Sequence, residues 1–173
     1  MNSGTRTWQS GAFLYNKSMM TTLYISKKMF NKVKQSCLEQ APRESCGFVY
    51  GSKRENGFHV SWIRLVPNVA ANPTAHFEMD PRSVIQALME ETAPEKTGFL
   101  RNTELIGIFH SHPETPPIPS IEDKTTFWHT LPTYWILSLL PGLVNPLHIY
   151  EMPFPCTPYS GNLEERLCRI RWC

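Results

Sequence analysis

No stretch of this chain approaches the roughly 20 consecutive apolar residues that cross a bilayer as a helix. Its longest strongly apolar run, Tyr134 to Leu140, stops at Pro141. The first twenty residues carry Arg6 and Lys17 but no continuous apolar core of signal-peptide length. A long basic stripe is missing too. The formal net charge of +2 comes from mixed signs spread along the sequence, which implies no nucleic-acid partner. There is no Cys-x-x-Cys pair: Cys37, Cys46, Cys156, Cys168 and Cys173 are odd in number and irregular in spacing. Five free thiols in a reducing compartment is the expectation, with Cys37 and Cys46 buried and Cys173 exposed. These absences together predict a cytoplasmic protein. Internal repeats are also lacking.

What is present is the balance of a soluble domain. With 173 residues, 41% hydrophobic and 18% charged, the chain can build one sizeable core. Residues 1–20 are polar and aperiodic and end in Met19-Met20, so a disordered leader is expected there, with a single domain over 21–173. Leu23 to Ile25 reads as a short strand. Ser26 can cap a helix with Met29, Phe30, Val33, Cys37 and Leu38 on one face, ended by Pro42. Ser45 to Gly51 reads as a buried strand, Lys53 to Gly57 as a hairpin turn with Asn-Gly chemistry, and Phe58 to Val66 as the returning strand.

Residues 67–73 read as loop and His76 to Met79 as extended chain. Asp80-Pro81 opens a helix to about Glu91, whose apolar residues Val84, Ile85, Leu88 and Met89 are expected to face the core. Residues 92–102 form a connector, and Leu105 to His110 a strand. Ser120 begins a helix of about ten residues. Tyr134 to Leu140 is a buried strand with an antiparallel partner at Leu147 to Tyr150. After the proline-rich loop 153–158, Leu163 to Trp172 is either a closing strand or a short helix. Hairpin signals beside helical crossings give an α/β single domain, with a mixed, largely antiparallel sheet and helices packed on its faces.

The chemistry concentrates at His110-Ser111-His112-Pro113 and the segment running to Ser120-Ile121-Glu122-Asp123. Side chains alternate along a strand, so His110 and His112 leave it on the same side and can hold one ion together. A proline-rich reversal lets Asp123 return to that ion. Two nitrogens, one oxygen and one open position is the arrangement of catalytic zinc, whereas structural zinc is closed by four ligands rich in cysteine. Glu122 lies about 100 degrees from Asp123 around a helix and reads as a first-turn acid. Glu114 reads as exposed. His59, His76, His129 and His148 read as core or surface histidines. Cys46 lies near Glu44, but no local histidine makes it a nucleophile, so it reads as core.

Glu44 ahead of Ser45-Cys46-Gly47-Phe48-Val49-Tyr50-Gly51, with His110-x-His112-Pro113 and Ser120-x-x-Asp123, resembles the JAMM metallopeptidase motif of the MPN family. The resemblance covers about residues 22–151, and Asn72-Pro73, Phe77 and Asp80-Pro81 look like its compact stand-alone prokaryotic members. It implies a cytidine-deaminase-like α/β fold. It also implies Zn2+ on His110, His112 and Asp123 with a water in the fourth position, Glu44 as general base, and Ser120 as hydrogen-bond donor to the developing oxyanion. The implied reaction is hydrolysis of a peptide or isopeptide bond at the C-terminal tail of a ubiquitin-like or sulfur-carrier protein. A non-catalytic MPN scaffold is the alternative. A zinc deaminase shares the metal-activated water, but its His-x-Glu and Pro-Cys-x-x-Cys signature is absent.

Overall fold

The computed structural model of the chain describes residues 20–93, 102–125, 127–152 and 167–173. The expected leader, apart from Met20, lies outside them, as do most of the 92–102 connector, the loop 153–158 with Cys156, and the His129 side chain. Strand β1 (Thr22–Ile25) leads into helix α1 (Lys27–Gln40), capped by Ser26. The hairpin β2 (Cys46–Arg54) and β3 (Gly57–Val66) follows, then α2 (Pro81–Thr92), β4 (Glu104–His112), the one-turn α3 (Ile121–Lys124), β5 (Thr133–Ser138), β6 (Leu147–Glu151) and β7 (Arg169–Trp172). The described part of the closing segment, Arg169–Trp172, is therefore a strand. Among the described residues no helix is long and apolar enough to cross a membrane.

Among the described residues seven strands form one mixed sheet in the order β6-β5-β4-β2-β3-β1-β7. Its longest ladder, β2 with β3, is antiparallel, as are β2 with β4 and β5 with β6. β4 with β5, and β1 with both its neighbours, run parallel. The approach to β7 touches both ends of the sheet: the Cys168 N–H donates to Ile149 O at 2.7 Å, and Arg169–Trp172 then pair with β1. One side of the sheet packs Leu23, Ile25, Val49, Val60, Phe109 and Trp135 against the α1 residues Val33 and Cys37. The other packs Phe48, Tyr50, Ile108, Tyr134 and Ile136 against Met79 and the α2 residue Ala87. Strands buried on both faces are continuous apolar runs, which is why β4 and β5 lack alternation.

Four expectations need correction. The hairpin turn is Glu55-Asn56, and Gly57 is already paired to Arg54; its φ of 147° and close approach to Thr22 backbone explain the glycine. Helix α2 buries Ala87, while Ile85, Leu88 and Met89 are exposed. Its polar side chains set the rotation, because Glu90 pairs with Arg64 at 2.8 Å and Glu91 accepts from the Leu105 N–H at 3.1 Å. Leu38 of α1 is likewise 45% exposed, one step past the buried Cys37. The helix from Ser120 is a single turn. Thr125 stops it by donating its hydroxyl to the Ile121 and Glu122 carbonyls, offering the backbone a rival to helical pairing.

Candidate metal centre

Strand β4 ends at the site. His110 and His112 emerge together, and the Ser111 between them turns to the opposite side, where its Oγ accepts from the Ser45 N–H at 2.9 Å. The Ser111 N–H donates to Ser45 O at 2.8 Å. This pair of hydrogen bonds fixes the entry of β2, and hence Glu44, beside the histidine pair. The backbone of Glu44 is held further by its N–H on Pro73 O at 2.7 Å and by Asn68 Nδ2 donating to its carbonyl at 2.9 Å. Asp123 arrives through a reciprocal cap: its N–H donates to Ser120 Oγ at 3.1 Å, and its Oδ2 accepts the Ser120 N–H at 2.7 Å.

His110, His112 and Asp123 are all buried, and their candidate ligand atoms lie within 4.8 Å of one another. The two Nε2 atoms are 2.9 Å apart, and Asp123 oxygens lie 3.4 Å from His110 Nε2 and 4.0 Å from His112 Nε2. Ligands at zinc bond lengths stand about 3.4 Å apart along a tetrahedron's edges, so these separations bracket that spacing. The donor set fits a divalent ion with nitrogen and oxygen preference.

Surrounding groups prepare each ligand. Pro116 O accepts from His112 Nδ1 at 2.8 Å; a carbonyl cannot donate, so Nδ1 carries the proton and Nε2 keeps its lone pair. The Tyr134 hydroxyl donates to Asp123 Oδ1 at 2.6 Å. Phe77 stacks on His110 with ring centroids 4.7 Å apart. Burial pushes the His110 ring down to about 4, so it is neutral at pH 7, the form a metal takes. Burial alone would raise the Asp123 carboxyl, but His110, the Tyr134 hydroxyl and Ser120 outweigh it and hold Asp123 below its ordinary value.

Glu44, Ser120 and the three clustered residues line one cleft of about 870 Å³. All five site residues expected from the sequence are therefore brought together. Burial pushes the Glu44 carboxyl up to about 8, helped by the charges of Asp123 and Glu122. Glu122 is exposed at the rim with its Oε2 2.7 Å from His76 Nδ1, tying the loop before α2 to α3 across the cleft. Cys46 is buried and its thiol is pushed up to about 12 by that burial, then by Glu44 and Cys37, as suits a core residue. Sequence reading missed Ser111, Pro116 and Phe77 as site supports, and saw Tyr134 only as strand. A polar or aromatic residue beside a ligand motif, or on the neighbouring parallel strand, is the signal that was available.

Similarity to known proteins agrees with this geometry. A family model described as prokaryotic homologs of the JAB domain matches residues 26–151. The chain is 44% identical over 80 residues to a desampylase of Pyrococcus furiosus, covering 46% of this chain and 49% of that protein. It is 31% identical over 107 residues to a probable TtuB-protein conjugate cleaving protease of Thermus thermophilus, covering 61% of this chain and 64% of the relative. The match thus spans about half to just under two thirds of these relatives' lengths. A solution structure of a Desulfitobacterium hafniense protein superposes with a TM-score of 0.63 at 27% identity, covering 89% of this chain and 93% of the other. With the motif, the sheet and the family match in agreement, the chain belongs to the Prok-JAB family, the prokaryotic homologs of the JAB domain.

Proposed function

We propose that residues 21–173 form a zinc-dependent peptidase domain that hydrolyses a peptide or isopeptide bond at the C-terminal tail of a ubiquitin-like or sulfur-carrier protein. The observation that carries this reading is the convergence of His110, His112 and Asp123 on one point of a cleft that Glu44 and Ser120 also line. The relatives named as a desampylase and a conjugate-cleaving protease support the substrate class. Three free buried thiols, Cys37, Cys46 and Cys168, accord with a cytoplasmic setting.

His110, His112 and Asp123 would hold the ion. Bound there, zinc would supply a Lewis acid and bring the pKa of a coordinated water to about 7. Glu44 takes on its carboxylate the proton that the attacking water gives up and passes it to the leaving amine. Ser120 Oγ accepts from the Asp123 N–H and keeps its own proton to donate to the carbonyl oxygen as negative charge develops. Phe77 and the buried strand end keep bulk water from the His110 side of the site.

The test is to measure zinc content, then incubate the protein with carrier proteins bearing C-terminal amide adducts, with and without a chelator, and weigh the products. Glu44→Gln is expected to bind zinc as the parent does and to lose about 10²- to 10⁴-fold in turnover. A parent protein that takes up no zinc and cleaves no adduct would overturn the reading in favour of a scaffold.

A further inference from the structure

The loop between the second histidine and the capping serine carries Pro113, Pro116, Pro117 and Pro119. Each proline removes a backbone N–H, so this segment has few donors with which to fix its own carbonyls. The Ile118 N–H bonds Pro116 O at 2.8 Å. The sheet supplies side-chain donors to three successive carbonyls. Ser138 Oγ, at the end of β5, donates to Thr115 O at 2.7 Å. His112 Nδ1, at the end of β4, donates to Pro116 O at 2.8 Å. The Tyr150 hydroxyl, on β6, donates to Pro117 O at 2.8 Å.

The roles are chemically determined. A carbonyl only accepts, so the single Tyr150 proton goes to Pro117 O, and His148 Nδ1, 3.2 Å from the Tyr150 hydroxyl oxygen, is the donor to that hydroxyl. Ser138 likewise gives its proton to Thr115 while accepting from the Leu140 N–H at 3.3 Å. Ser138 is fully buried and Tyr150 nearly so. Tyr150 also pairs in register with Tyr134, whose hydroxyl holds Asp123, so neighbouring tyrosines hold the loop and the ligand beyond it.

We propose that Ser138 and Tyr150 are positioning residues for the metal centre: they pin the carbonyls on either side of Pro116, so that Pro116 O stays aimed at His112 Nδ1 and the chain reaches Asp123 at a fixed separation. This rests on the metal-centre reading above. The middle carbonyl selects the His112 tautomer, and the outer two keep it in place. Loss of either outer bond frees Pro116 O to move, and the His112 ring then exchanges between tautomers, one of which has no lone pair at Nε2.

The test uses Ser138→Ala, Tyr150→Phe and the hydroxyl-retaining Ser138→Thr in the full chain. In chelated protein, imidazole ¹⁵N shifts of His112 should report one Nδ1–H tautomer in the parent and a mixture in the Ala and Phe variants, with Thr restoring the parent pattern. In parallel, zinc affinity by chelator competition should fall about 10- to 100-fold in Ala and Phe. The visible spectrum of bound Co2+ should change with it, and kcat should fall more than KM rises. Unchanged tautomer, affinity and Co2+ spectrum in both variants would overturn the proposal. A parent that shows the single tautomer but binds no metal would uphold the clamp and instead overturn the metal-centre reading.

Discussion

At Glu44 two demands meet: the side chain is 7% exposed, yet it borders the carboxylates of Asp123 and Glu122. Its carboxyl is raised from 4.5 to about 8. Between those values the metal-free folded state keeps a proton on Glu44 that the unfolded chain has released, so the contribution of Glu44 to stability falls as pH rises across that window. Below pH 6.5 His110, held down to about 4 in the fold, acts with the opposite sign, so melting temperatures of chelated protein should decline from pH 6.5 to 8, and Glu44→Gln should flatten that decline. Tyr134→Phe removes the donor to Asp123 Oδ1; zinc affinity by chelator competition should drop about 10- to 100-fold. The ligands were legible because strand alternation and a one-turn cap are local rules that put His110, His112 and Asp123 on the page together. The Ser111 bond to Ser45 and the Tyr134 bond to Asp123 were not legible, since which distant partner a buried hydroxyl meets is decided by strand order.

Among the elements, the caps and strands were the readable part. Ser26 and Asp80 stand at the starts of α1 and α2, where each side chain accepts a backbone N–H from three residues on. Rotation was the unreadable part. The apolar spacing of Val84, Ile85, Leu88 and Met89 fits a core-facing stripe, but Arg64 on β3 and the Leu105 N–H on β4 capture Glu90 and Glu91 and turn Ala87 inward. A pair of substitutions separates the two arrangements. Ile85→Gln should change stability by less than about 0.5 kcal/mol, as an exposed position does. Ala87→Leu should cost about 1–3 kcal/mol through overpacking against the Phe48 and Tyr50 side. Chemical denaturation of both variants decides the matter. For α3, a predicted ten residues became four because Thr125 takes back the carbonyls the next turn would need.

For the whole molecule, a site assembled from β2, β4 and α3 exists only in the folded chain. An ion bound there stabilises the fold by mass action, about 2.7 kcal/mol when free metal is 100 times Kd. Added zinc should therefore raise the melting temperature and a chelator lower it, with both effects abolished in His112→Ala. The mixed sheet was legible from alternating hairpin and crossover signals. Its order was not, because nothing in Arg169 to Trp172 says that these residues pair in parallel with Thr22–Ile25. That pairing also sets a schedule. β1 is made well before β7, and its outer edge waits for that strand, more than a hundred residues further along the chain. At ribosomal speeds of about 5–20 residues per second the wait is on the order of ten seconds, during which Leu23 and Ile25 belong to a strand with an open side. Whatever shields that edge on the nascent chain, the β1 side of the sheet can close only once β7 has been made.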